Sequence, residues 1–309
     1  MAGGSRKSRS RPQDEEAPRV APGVLKVTVR EYLVPRSLPE AISLLERHGP
    51  ELLVMAGGTV AMPLINEGIS LPERVMSLRS AGLTSIEQRG DVLSIGAAAT
   101  LTQLVAQDGV ALLSEAARNT ASWSIRNMGT VGGNLFTPPP GGDVAVALLA
   151  LDASVTLAST RGERALPLAE FLTGFMTTEL APDELLVEIE VPIRSEPTAY
   201  LKFGRKHANT PAVVTVAVRL EWHGERVAHA RIALGAAGPH PIRARGAEAL
   251  VVGTRLDADA IAAAAAAAAR ECEPFTDGVA TEWYRRRMVS LFVGRALAQL
   301  APGAGGGGR

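Results

Sequence analysis

The apolar positions of this chain follow two rhythms, one with a period of two residues and one near 3.6. Val24 to Leu33 alternates in strand fashion. Ser37 then stands as an N-cap before a helix from Leu38 to His48, where Leu38, Ile42 and Leu45 recur at helical spacing. Leu52 to Ala56 is a short strand that ends in Gly57-Gly58-Thr59 and leads into a helix from Val60 to Asn66. Three hairpins share one design, with turns at Arg89-Gly90-Asp91, Arg161-Gly162-Glu163 and His223-Gly224-Glu225. In the third, Val214, Val216, Val218, Leu220 and Trp222 point one way and Thr215, Ala217, Arg219 and Glu221 the other. Helical sequence runs from Thr102 to Ser122 and again from Val144 to Leu151. The Gly- and Pro-rich stretch between them reads as a structured loop or lid. Glu184 to Val191 is a strand that ends at Pro192, and residues 193–198 form a linker. Helices follow at Ala247–Val251, Ala258–Glu271 and Thr281–Leu300. The second contains eight successive alanines, Ala262 to Ala269, which favour helix with little packing bulk and mark it as scaffold.

A length of 309 residues predicts two or three domains, at about 100–200 residues each. Basic and acidic side chains balance at 32 each, without the basic excess of a nucleic-acid binder. The single cysteine, Cys272, rules out an internal disulfide framework and suits a reducing cytoplasm. One thiol also cannot hold an iron–sulfur cluster, and the five scattered histidines read as surface or loop residues, not metal ligands. No apolar run is long enough to span a membrane. Residues 1–23 and 302–309 read as a disordered tail and a flexible tail.

Two glycine-rich turns are candidates for chemistry. In Ala56-Gly57-Gly58-Thr59, bare backbone N–H groups after a strand and before a helix can cradle phosphate oxygens. The same spacing also serves an ordinary strand-to-helix turn. In Gly129-Thr130-Val131-Gly132-Gly133-Asn134, glycine pairs offer backbone donors, and Thr130 and Asn134 offer side-chain hydrogen bonds. Asp143 can accept bonds from sugar hydroxyls, cap the helix that follows it, or do both.

Together these turns resemble the FAD-binding subunit of molybdenum hydroxylases, the family of the flavin subunits of carbon monoxide dehydrogenase and xanthine dehydrogenase. The resemblance extends through Ile95-Gly96-Ala97 with Thr100-Leu101-Thr102, the approach Ile125-Arg126-Asn127-Met128-Gly129-Thr130, and Leu148-Leu149-Ala150-Leu151-Asp152-Ala153. It continues through Phe171 to Thr178, Asp183 to Pro192, Tyr200 to Arg205, and Tyr284-Arg285 with Met288, and so covers about Val24 to Leu300.

The resemblance implies a mixed α/β and α+β fold. An FAD domain of the vanillyl-alcohol-oxidase or PCMH type would span residues 24–195, with subdomains 24–82 and 83–195, and a smaller α+β domain would span 199–301. By matching position, Ala56, Gly57, Gly58, Thr59 and Val60 would lie along the FAD pyrophosphate. Thr130, Gly132, Gly133, Asn134 and Asp143 would face the pyrophosphate, ribityl chain or ring, with Lys202 near the flavin and Leu186 packing near the ring. No residue of this chain would be catalytic or bind metal. Iron–sulfur clusters and molybdopterin would sit in a small and a large partner subunit of a cytoplasmic hetero-oligomer. Electrons would pass through FAD to NAD, oxygen or a quinone-type acceptor.

Two positions depart from the family pattern. Val60 and Pro139 stand where the family usually has a polar residue, and each loses a hydrogen bond worth roughly 0.5–1.5 kcal/mol. These departures motivate two alternatives: a stand-alone FAD-dependent oxidoreductase on the same fold, or a scaffold that has lost flavin.

Overall fold

The computed structural model describes residues 29–107, 109–206 and 209–302. Half of the expected strand from Val24 to Leu33 (residues 24–28), both predicted tails apart from residue 302, and His207 lie outside them.

The first layer is a parallel sheet of three strands, ordered Glu31–Leu33, Arg74–Ser77, Leu52–Met55. Parallel neighbours need crossovers, and the helices Leu38–His48 and Ala61–Asn66 follow its first two strands in chain order. Ser37 caps the first of these helices, its hydroxyl accepting from the Glu40 N–H. The second sheet is antiparallel, with Leu185–Pro192 at its centre between Val92–Gly96 and Ser154–Ser159. Hairpin partners Ile86–Arg89 and Gly162–Pro167 form its edges. The third sheet runs Thr198–Gly204, Ala212–His223, Arg226–Gly235, Ile242–Arg243. Helices Arg245–Val251, Ala258–Glu271 and Glu282–Leu300 belong to the same domain, and the last two are capped by Asp257 and Thr281.

Three expectations change, and one face on which the sequence is silent is covered. The helix expected over Thr102–Ser122 is two helices, Leu101–Val105 and Ala111–Arg118, and the Ser114 hydroxyl donates to the Leu104 and Gln107 carbonyls across the break. The glycine-rich loop contains two short helices, Trp123–Arg126 and Val131–Leu135. The linker ends one residue early, because Thr198 already pairs with Arg219 in the third sheet. Finally, the polar side of the third hairpin is covered from Thr215 to Arg219, while Glu221 is exposed. Residues 212–220 are buried throughout. Val214, Val216 and Val218 join the core under the C-terminal helices, while Ala217 and Ala233 join that of the preceding domain. The cover on that second side is the helix Asp143–Ala150, every residue of which is buried. A helix apolar all round fits a position between two layers.

Candidate functional site

The strand Leu52–Met55 delivers the first glycine turn to the boundary between the parallel and the antiparallel sheet. There it meets the second. A Cβ built on Gly57 would lie 1.9 Å from the Met128 carbonyl oxygen. Glycine at 57 is therefore required by the chain opposite. Gly132 is constrained in the same way, its Cβ falling 2.7 Å from the Ala97 carbonyl. Among the described residues, the backbone N–H groups of Gly57, Gly58, Thr59 and Val60 have no hydrogen-bond partner. The second turn differs. Gly132 and Val131 donate to Ala97 and Ala99, Gly133 to the Thr130 hydroxyl at 3.0 Å, and Asn134 to the Thr130 carbonyl. Most of its backbone donors are thus committed to the fold.

Asn134 and Asp143 also exchange one expected role. The Asn134 side-chain oxygen accepts from the N–H groups of Val144 at 3.1 Å and Ala145 at 3.2 Å, so it caps the buried helix. Asp143 is the first residue of that helix and caps nothing. Its carboxylate instead accepts from the Lys202 ammonium at 2.7 Å and the Thr215 hydroxyl at 2.9 Å. Lys202 also donates to the Asn119 carbonyl at 2.9 Å. The side chains of the pair are only 9% and 7% accessible. Burial pushes the Asp143 carboxyl above its usual range, against the opposing pull of Lys202 and Thr215.

All twelve residues singled out from the sequence line one cavity of about 800 Å³. Cavities that hold small ligands measure roughly 300–1,000 Å³. Leu186 reaches it from the central strand of the antiparallel sheet, and Lys202 from the third sheet. Val60 and Pro138-Pro139-Pro140 are part of the wall, so both departures from the family pattern face this space. Sequence reasoning missed Ser70, Thr120, Asn209 and Thr210, which also line it. It also missed Thr215, whose signal was present as a polar residue in the alternation of the third hairpin. Among the described residues, Asp143, Glu184 and Lys202 are the charged side chains at the wall. Glu184 accepts from Arg164 at 2.7 and 2.8 Å and from the Ala181 N–H. The bond from Arg164, above all, holds its carboxyl below the usual range. No group of three or more His, Cys, Asp or Glu among the described residues is placed to hold a metal ion. No helix among them is long and apolar enough to cross a membrane.

Comparison with known proteins agrees along the length of the chain. Residues 26–194 match the FAD binding domain in molybdopterin dehydrogenase, and residues 198–300 the CO dehydrogenase flavoprotein C-terminal domain. The chain is 33% identical to the carbon monoxide dehydrogenase medium chain of Hydrogenophaga pseudoflava, covering 86% of this chain and 95% of that one. It is 30% identical to the caffeine dehydrogenase subunit beta of Pseudomonas sp. (strain CBB1), covering 90% and 96%. The solved carbon monoxide dehydrogenase from Hydrogenophaga pseudoflava superimposes with a TM-score of 0.84 at 34% identity, covering 87% of this chain and 96% of that one. With both domains matched and the fold shared, the chain belongs to the FAD-binding medium subunits of the molybdenum hydroxylase family, a family of oxidoreductases.

Proposed function

We propose that FAD occupies the cavity between the two glycine turns, and that the chain takes electrons from an iron–sulfur subunit and passes them to NAD or another acceptor. A molybdopterin subunit of the same assembly oxidises the primary substrate. The observation that carries this reading is the state of the charged groups at the wall. Asp143, Lys202 and Glu184 are each committed to protein partners at 2.7–2.9 Å. None is left as a free general base or nucleophile, which suits a chain that holds a redox group and leaves substrate chemistry to another subunit.

The wall also fits the cofactor. The unpartnered N–H groups from Gly57 to Val60 offer a row of donors for the pyrophosphate. Lys202 has three ammonium protons and spends two on Asn119 and Asp143, which leaves one for the cavity. Leu186 and the three prolines supply apolar wall for a ring system. When bound, FAD accepts and releases the electrons, and the protein binds it, orients it and excludes water.

The test begins with the purified full chain. A flavin absorption spectrum and FAD released by acid are expected. The reduced protein is then mixed with NAD, oxygen and a quinone analogue in turn, and one of them is expected to reoxidise it fastest. A colourless chain that never takes up FAD would overturn the reading and leave the scaffold alternative.

A further inference from the structure

Lys202, Thr215 and Gly235 lie side by side on three adjacent strands of the third sheet: Lys202 pairs with Thr215, and Thr215 with Gly235. This row faces the first turn of the buried helix Asp143–Ala150. At Gly235 a Cβ would lie 2.5 Å from the Cγ2 of Val146 and 3.3 Å from the Cβ of Thr215. Glycine there lets the helix sit down on the sheet. That approach brings the Asp143 carboxylate between two donors of the other domain, Thr215 at 2.9 Å and Lys202 at 2.7 Å. Thr215 is 1% accessible, so neither it nor the oxygen it binds has water as a substitute partner.

Resting on the placement of FAD proposed above, we infer that Thr215 is a positioning residue for the flavin site. It touches no part of the cavity itself. Its hydroxyl fixes one oxygen of Asp143, which leaves the other to hold the Lys202 ammonium at the wall. Without that bond the buried carboxylate must turn to recover a second donor, and the ammonium moves with it. The C-terminal domain is therefore a working part of the flavin site, and its docking on the helix sets flavin affinity.

The test uses flavin-stripped full chain titrated with FAD by fluorescence, with the thermal midpoint of each flavin-free variant as a control. Thr215→Val keeps the β-branched shape and removes the donor. It is expected to weaken FAD binding on the order of tenfold and to change the visible circular dichroism of bound flavin. Its flavin-free midpoint falls by a few degrees, as a buried acceptor that loses one donor requires, but stays well above the titration temperature, and Thr215→Ser restores both signals. A second arm keeps the hydroxyl. Gly235→Ala crowds Val146 and is expected to weaken FAD binding similarly, and adding Val146→Ala restores it. That arm decides the matter should Thr215→Val fail to fold. Wild-type affinity in both Thr215→Val and Gly235→Ala, or equal loss in Thr215→Val and Thr215→Ser, would overturn the inference. Lys202→Met separates the two levels. If it binds FAD as the wild type does, the placement of FAD falls. If it weakens binding while Thr215→Val does not, only the role of Thr215 falls.

Discussion

Arg231 donates through its Nε to both carboxylate oxygens of Asp152, at 2.7 and 2.9 Å, across the boundary between the two domains. Arg219 reaches the same carboxylate at 2.5 Å and Arg243 at 3.0 Å. Arg243 is held in turn by Glu248, which also accepts from the Ile232 N–H. One acidic side chain of the first domain thus organises three arginines of the second. It lies beyond the C-terminal end of the helix that Asp143 begins, so the helix is tied to the sheet at both ends.

Asp152→Asn should loosen this boundary. The amide keeps an acceptor but not the charge, and Arg219, whose side chain is 8% accessible, loses the counterion it is bonded to. Breaking a buried pair costs roughly 3–5 kcal/mol. With Asp152 itself 30% accessible, a loss of about 2 kcal/mol is expected in urea unfolding at neutral pH. The loss should also depend on pH. Burial alone would raise the Asp152 carboxyl, but the bond from Arg231 and the charges of Arg231, Arg219 and Arg243 outweigh it and hold it below the usual range. A carboxyl depressed by folding stabilises fully above its unfolded value near ~3.9 and loses that contribution as pH falls through its folded value. The gap between wild type and variant should therefore be full at pH 7 and close in acid. A gap that persisted unchanged well below pH ~3 would remove the electrostatic explanation.

In Lys202→Met the gap from wild type should also close in acid, but because the variant regains stability and not because the wild type loses it. The substitution strands the Asp143 carboxylate where burial already pushes the carboxyl up. A carboxyl raised by folding costs stability as pH climbs from the unfolded value near ~3.9 through the folded one, and the cost vanishes once the group is protonated. The variant should be roughly 2–4 kcal/mol less stable at neutral pH and should recover relative to wild type near pH ~4. Thermal midpoints across that window decide it.

How much of this was legible in the sequence follows from how local each cause is. The hairpin turns, the cap at Ser37 and the alanine helix depend on neighbours a few residues away, and they stand where expected. Both glycine turns were visible, and the resemblance brought together twelve residues that share one cavity. The reasons behind individual residues were less visible, because they are tertiary. The need for glycine at 57 comes from a carbonyl 71 positions along the chain, at Met128. Asp143 looked like a cap because a cap is the local role of an aspartate before a helix. Its partners lie 59 and 72 residues away. The alternation of the third hairpin was read correctly, but alternation cannot say that a second domain covers the polar side.

Asn134→Ala should cost stability through the helix it caps. Its side-chain oxygen serves two N–H groups in a buried setting. Loss of an N-cap costs about 0.5–2 kcal/mol, and burial places this one toward the upper end. Asn134→Asp keeps the acceptor and should retain most of that stability. Equal losses in the two variants, measured by urea unfolding, would show that the amide N–H groups matter more than the cap.

The two neighbouring glycines of the first turn should respond in different degrees to the same methyl group. At Gly58 the backbone has φ near +70°, and the nearest atoms to an added Cβ are the Met55 Sδ at 3.2 Å and the Met62 Cγ at 3.4 Å. Both belong to flexible side chains that can move, so Gly58→Ala should cost about 1–2 kcal/mol, mostly for the left-handed backbone. At Gly57 the obstacle is the Met128 carbonyl at 1.9 Å, which is backbone and cannot rotate away. Gly57→Ala must push the two turns apart, at about 3 kcal/mol or more. It should also lose FAD binding, because both turns line the one cavity. Thermal melting and FAD titration of both variants would expose an error: if Gly58→Ala were the more damaging, the contact between the turns would not be what demands glycine at 57.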